Sequence, residues 1–337
     1  MARSRISTAL DGGLSLPPGD ILVLRPPAAM DLFALPAERL TIHHTFRPDR
    51  DAWAGAGLRV VEEPGTAAVA LVCVPRSKAL ARGLVAEAAR LAPLVLVDGQ
   101  RTDGVDSLWR EVRAKRGDEV EGLTQGHGRL FWFDGGAGFE DWALPGPVKG
   151  EGGLFAQPGV FSADGPDRGT AMLAEALPGK LPARMADFGA GVGVLSLAAL
   201  VREGVGSIDL IEAERLALDC ARLNVTDERA RFLWEDVTAG ARGPYDGIVM
   251  NPPFHQGRTP EPRLGQTFLE AAARALTPSG QLWVVANRHL SYEAPLAALF
   301  RQVEEIGGDA GFKLLHAAQP LKLRGAAARE VVRARRR

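Results

Sequence analysis

The stretch RMADFGAGVGVLSLAAL, residues 184–200, decides how the second half of this chain folds. Residues 184–188 form a short, mostly apolar run that reads as a strand, and 192–203 carry apolar residues at helical spacing. Between them Gly189, Gly191 and Gly193 let the backbone turn sharply and approach a ligand that a side chain would keep away. Strand, glycine-rich turn and helix in that order open a doubly wound α/β domain, whose ligands bind at the carboxyl ends of the strands.

Working outward, the alternation continues. Strands are expected at 207–211, 231–234, 247–250, 281–286 and 311–317, with helices at 169–177, 215–224, 262–276 and 294–302. Toward the amino terminus, LPGPVKGEGGLFAQPG at 144–159 is punctuated too often by Gly and Pro for a helix or central strand. It separates a first domain, 1–145, from a second, 146–337. The first half alternates as well: strands at 20–24, 69–74 and 94–97, a helix at 77–91, and a late strand or hairpin within 120–133. Strand 69–74, helix 77–91 and strand 94–97 make a βαβ unit and so a parallel sheet. Two α/β halves of similar size suggest duplication, although no residue-level repeat is visible and only the second half has the glycine turn.

The turn alone does not separate a dinucleotide site from a methyl-donor site, because both use nearly the same loop. Three acids narrow the choice. Asp187, two places before Gly189, is placed to accept hydrogen bonds from a methionine ammonium or its shell. Glu212, at the end of the next strand, suits the two hydroxyls of a ribose. Asp236, after the third strand in FLWEDV, suits an adenine amino group. Each also has a plainer reading as a helix cap or turn residue. Asp209 is an alternative to Glu212 but falls inside its strand.

After the fourth strand comes Asn251-Pro252-Pro253-Phe254. The Asn251 side-chain carbonyl can accept from an amino group. Pro252 and Pro253 remove two backbone donors and stiffen the loop, so that the Pro252 carbonyl becomes a second acceptor. Two acceptors hold the N–H bonds and aim the nitrogen lone pair at a sulfonium methyl, and positioning supplies most of the catalysis. Phe254 offers a face for stacking a planar base. In an arbitrary protein these four residues would be a rigid turn with a buried aromatic. At a strand mouth, about sixty residues after a glycine turn in the same sheet, they point to methylation of a conjugated amino group, with S-adenosylmethionine as cofactor.

Taken together, Asp187–Gly193, Glu212, Asp236 and Asn251–Phe254 resemble the class I methyltransferases that act on exocyclic or amide nitrogen. The longer string NPPFHQG (251–257), the earlier PGVFSADGPDRGT (158–170), and VPRSKALARGL and VDGQRTDGVDSL in the first half are similar to the bacterial ribosomal RNA guanine-N2 methyltransferases of the RsmC/RlmG type. The resemblance implies two tandem Rossmann-like methyltransferase domains, the first lacking cofactor motifs. It implies cofactor contacts from Asp187, Gly189, Gly191, Gly193, Glu212 and Asp236, and assigns Asn251, Pro252, Pro253 and Phe254 to the target base. The implied substrate is ribosomal RNA or a ribosomal subunit, with 16S favoured over 23S. Methylation of a glutamine amide or of adenine N6 uses the same two-acceptor geometry. A non-catalytic RNA-binding module and a nicotinamide-dependent oxidoreductase are the rivals from other classes; the cofactor acids argue against the first and Asn251–Phe254 against the second.

Bulk properties bound the rest. A formal net charge of −1 argues against coating nucleic acid by bulk charge and leaves room for a local patch. Eight Lys/Arg face one acid from Lys313 to the end, and Arg76, Lys78 and Arg82 form a smaller group that reads as a solvated helix face. Cys73 and Cys220 have no metal-type spacing and read as small buried residues. His43-His44, without a third ligand nearby, reads as a surface turn; His255 neighbours the catalytic loop. No metal site, no membrane segment, a cytoplasmic location and a monomer are expected.

Overall fold

Residues 21–24, ILVL, are buried on both faces and form an interior strand of the first sheet. The computed structural model describes residues 3–150, 152–161, 165, 167–240, 242–253, 255–256, 259–260 and 262–321. Two units are formed, Met1–Ala163 with Glu214–Ala217, and Asp164–Ala213 with Leu218–Arg337.

In the first unit the strands are β1 (Ile21–Leu24), β2 (Leu40–His43), β3 (Arg59–Val61), β4 (Val69–Cys73), β5 (Leu94–Gln100), β6 (Glu121–Gln125) and β7 (Gly128–Asp134). Their order is β3-β2-β1-β4-β5-β7-β6. The first five are parallel, while β7 runs antiparallel to β5 and pairs with β6 as a hairpin. Strand β4, VALVC, is buried at every residue, as parallel strands covered on both faces are. Helices α1 (Arg5–Asp11), α2 (Arg47–Gly55), α3 (Lys78–Leu91) and α4 (Val105–Arg116) accompany the sheet. Helix α3 starts at Ser77, whose hydroxyl accepts from the Leu80 amide, and it buries Leu80, Leu84, Val85 and Ala88.

The second unit repeats the plan with α5 (Arg168–Ala176), β8 (Arg184–Phe188), α6 (Val194–Leu200), β9 (Ser207–Glu212), α7 (Arg215–Asn224), β10 (Ala230–Trp234), α8 (Val237–Gly240), β11 (Tyr245–Met250), α9 (Pro262–Ala275), β12 (Leu276–Asn287), α10 (Glu293–Leu299), β13 (Phe300–Gly308) and β14 (Phe312–Pro320). Its order is β10-β9-β8-β11-β12-β14-β13, the first sheet's order with every strand seven later. The register matches too. Leu24 faces His43 and Val72, as Phe188 faces Ile211 and Met250. The next amide closes the same bond in both: Arg25 donates to His43 O at 2.8 Å and Gly189 to Ile211 O at 2.9 Å. These are two tandem Rossmann-like domains.

Three expectations need correction. Residues 300–302 leave the helix and begin β13, because Phe300, Val303 and Ile306 recur every third residue on an exposed edge strand and so imitate a helical period. Histidines 43 and 44 are not a surface turn: they are 6% and 4% exposed, and His43 ends β2. Lys313 is buried and paired with Glu293, which removes it from the basic carboxyl-terminal group. The other basic residues of that group, from 322 on, lie outside the described residues. Both cysteines are free and buried. Among the described residues no helix is long and apolar enough to cross a membrane.

Candidate active site

Strand β8 delivers its last residues into the core, and there Asp187 is 1% exposed. One carboxylate oxygen accepts from the Ser196 hydroxyl at 2.7 Å, from the first turns of α6. The other, Oδ1, is buried with no partner. Burial lifts the carboxyl to about 7; the Ser196 hydrogen bonds oppose the rise and the nearby Glu212 carboxylate adds to it. A buried acid with one oxygen unanswered is costly, and such groups mark functional sites.

The three glycines have different reasons to be glycine. Gly189 (φ 71°), Gly191 (φ 55°) and Gly193 (φ 93°) are all left-handed. A Cβ on Gly193 would meet Val225 at 2.8 Å, so its constraint is the packing of the loop. A Cβ on Gly191 would meet nothing within 4 Å; it would project into open space. The Gly191 amide donates to Glu212 Oε2 at 2.8 Å, tying the turn to the end of β9. Asn224 of α7 holds the same loop by donating to the Val192 carbonyl at 2.9 Å.

Asp236 follows β10 and spends Oδ1 on the amide and hydroxyl of Thr238, at 2.8 and 2.7 Å, capping α8. Cap and ligand roles are compatible, since a carboxylate has a second oxygen. Asp209 belongs to the sheet: Arg231 clamps it with two bonds of 2.7 and 2.9 Å, and the Tyr245 hydroxyl donates to it at 2.8 Å.

Asn251 stands directly after β11, and Phe188, which ends β8, pairs with Met250 just before it. The glycine turn and the Asn-Pro-Pro loop therefore leave adjacent strands at the same level. Asn251 Nδ2 donates to Asp167 Oδ1 at 3.1 Å and to Thr170 Oγ1 at 2.7 Å. Pro252 is buried and Pro253 exposed. Phe254 lies outside the described residues, as does the side chain of His255. The sequence reading missed Ser196, Asp167 and Thr170. Nothing local marks them, apart from the membership of Asp167 and Thr170 in the segment 158–170.

In the first unit, the basic group after β4 is partly offset by acids. Lys78 and Arg82 both reach Glu111, at 2.6 and 2.7 Å, and Arg76 faces Asp103 at 3.7 Å. Among the described residues no cluster of His, Cys, Asp or Glu is arranged to hold a metal ion.

A buried acid beside a glycine turn, facing a proline-stiffened asparagine across one strand pair, is the arrangement of a class I methyltransferase domain, and residues 151–316 match the family model described as the methyltransferase small domain. Over 258 residues the chain is 30% identical to the ribosomal RNA small subunit methyltransferase C of Shewanella halifaxensis, covering 72% of this chain and 75% of the relative. It belongs to that family, the bacterial ribosomal RNA methyltransferases of the C and G types. The small subunit methyltransferase C of Hahella chejuensis is 36% identical over 49% of each chain. The large subunit methyltransferase G of Pseudomonas aeruginosa is 36% identical over 49% of this chain and 46% of the relative. In these last two matches the chain spans about half the length of the curated relatives. A T. thermophilus 16S rRNA N2 methyltransferase, solved in complex with AdoMet and guanosine, shares the fold with a TM-score of 0.78 at 23% identity, over 94% of this chain and 92% of that one.

Proposed function

We propose that this chain transfers a methyl group from S-adenosylmethionine to the exocyclic N2 of a guanine in ribosomal RNA, 16S rather than 23S. The observation that carries the reading is the Asn251 side chain. Its amide nitrogen is spent on Asp167 and Thr170, which leaves Oδ1 to accept from a target amino group. The small-subunit target is supported by the relative matched across both halves, a small subunit enzyme.

The residues present fit the cofactor. Asp187 Oδ1 is a buried acceptor without a donor, suited to an ammonium, and Gly191 leaves open space where a side chain would intrude. Glu212 would take the ribose hydroxyls and Asp236, through its second oxygen, the adenine amino group. When bound, the cofactor supplies an electrophilic methyl on a sulfonium centre. Asn251 Oδ1 and the Pro252 carbonyl take the two N–H bonds of the guanine amino group, which turns its lone pair out of conjugation and toward that methyl. Phe254 stacks the base. As the N–C bond forms, an amino proton becomes acidic and leaves to solvent, so no strong base is required. Most of the rate comes from holding two reactants in line. Residues 1–145 support or bind the RNA, and the enzyme acts as a monomer in the cytoplasm, where ribosomal subunits are found.

The test is to supply labelled cofactor with naked ribosomal RNA and with each subunit, then digest and separate nucleosides. N2-methylguanosine from 16S RNA is expected. Label in protein or in N6-methyladenosine overturns the guanine assignment, and N2-methylguanosine confined to 23S RNA overturns the subunit assignment.

A further inference from the structure

We propose that Asp167 and Thr170 are positioning residues that fix which end of the Asn251 amide faces the target and restrict position 251 to asparagine. The inference rests on the amino-methylation reading of the site. An asparagine amide is nearly symmetric in shape, and only its oxygen can accept from an amino group, so its orientation decides whether the site works. Nδ2 lies within donating distance of two acceptors, Asp167 Oδ1 at 3.1 Å and Thr170 Oγ1 at 2.7 Å. The Thr170 hydroxyl lies 3.3 Å from Asp167 Oδ1 as a donor, which turns its lone pairs toward Asn251. Asp167 is itself held, as the N-cap of α5, by the Thr170 amide at 2.9 Å. Rotating the Asn251 amide by half a turn would set its oxygen against the Asp167 carboxylate oxygen, forfeit that bond, and require the Thr170 hydroxyl to leave Asp167 in order to donate.

The cap exists in both halves, which separates its structural part from the rest. Helix α1 of the first unit has Ser4 at the same cap position, accepting from the Ser7 amide at 3.2 Å. There the register position of Asn251 holds Cys73, and no amide needs orienting. Capping therefore needs only a short polar side chain. A carboxylate at the cap, and a threonine hydroxyl turned to an asparagine, are additions of the half that carries the site. The same carboxylate excludes aspartate at 251, since two anionic oxygens would then meet where one N–H···O bond now lies.

Two measurements decide the matter. In the free protein, the Asn251 side-chain amide hydrogens, followed by NMR, are expected to exchange slowly. Thr170→Val should speed them about ten-fold or more while Thr170→Ser leaves them protected. In transfer assays Thr170→Val should lower kcat about 10- to 100-fold with cofactor affinity and melting temperature unchanged, and Thr170→Ser should stay within about three-fold of the parent. Asn251→Asp should be inactive near neutral pH, and adding Asp167→Asn should raise its rate by about ten-fold or more, because removing the charge at 167 relieves the repulsion between two anionic oxygens. Unchanged exchange in Thr170→Val, a parental kcat in Thr170→Val, or a double variant no faster than Asn251→Asp alone overturns the proposal. A parent chain that yields no methylated guanosine sinks the functional reading, while the exchange measurement, made without RNA, still decides the orientation.

Discussion

The two sheets have the same strand order and register, and they differ at every position where the second unit presents chemistry. By register, Val23 stands for Asp187, Arg25 for Gly189, Pro26 and Pro27 for Ala190 and Gly191, His44 for Glu212, and Cys73 for Asn251. Arg25 keeps the left-handed backbone of the glycine it replaces, at φ 55°, and its guanidinium turns back to the Thr45 hydroxyl. The loop after β1 is then pinned by α2. Trp53 Nε1 donates to the Pro26 carbonyl, and Asp49 accepts from the Ala28 amide, both at 2.8 Å. A cleft of about 380 Å³ remains near the mouths of β1, β4 and β5, bordered by the Arg5–Asp98 ion pair. Backbone ladders and buried strands build the frame in both halves, and the groups proposed to bind ligand hang on it at the strand mouths. Losing them spares the fold and in one respect eases it, since Val23 satisfies a buried position that Asp187 leaves with an unpaired oxygen.

The contrast can be broken most forcefully at the paired strand ends. Asn251→Ala should reduce methyl transfer by about 10²-fold or more, since it removes the acceptor that places the amino group. Cys73→Ala, its counterpart, should leave the rate alone; equal effects would end the claim that only one half reacts. Exchanging the turn comes next. Gly191→Arg should weaken cofactor binding about 100-fold by calorimetry, because a long side chain enters the open space that the glycine keeps clear. Arg25→Gly should confer no cofactor affinity on the first unit, where Val23, Pro27 and His44 remain. Asp187→Asn should lower cofactor affinity by about ten-fold, a charge-assisted bond being exchanged for a neutral one.

The smallest expected effect has opposite signs in the two halves. Burial holds His43 near 4 and His44 near 2, against an ordinary value of 6.5, so both stay neutral in the fold. Below pH 6.5 the unfolded chain takes up protons that the folded first unit refuses, and its stability falls as pH drops toward 4. Asp187 does the reverse: the unfolded acid ionises above 3.8 while the folded one keeps its proton to about 7, so the second unit loses stability as pH rises through that window. Amide exchange resolved by unit should show both trends. Asp187→Asn should flatten only the second.

Much of this contrast was legible in the sequence, and its limits have physical causes. Strand β8, the glycine turn and Asn251–Pro253 are local signals, with spacing, conformational freedom and stiffness written in consecutive residues. Strands β2 and β3, with four and three residues, are too short to show a period. Helices α2 and α4 passed unnoticed as well: their windows are polar on average and bury one and three residues respectively. The left-handed Arg25 could not be read at all, because nothing in its side chain favours that backbone. Nor could the Asp167–Thr170–Asn251 contact, which joins residues 81 and 84 positions apart and exists only once α5 has docked against α6 and β12.

Asp187 has one further consequence. An acid poised near neutrality, whose free oxygen waits for a cation, must shed its proton when an ammonium arrives, so cofactor uptake on this reading is an ion exchange, with hydrogen ion leaving as the amino acid head enters. The demethylated product carries the same ammonium and makes the same exchange. On the proposed assignment the acid would anchor both forms alike and be blind to whether the methyl has gone. Discrimination between fresh and spent cofactor would then fall to groups other than Asp187, those that meet the sulfur.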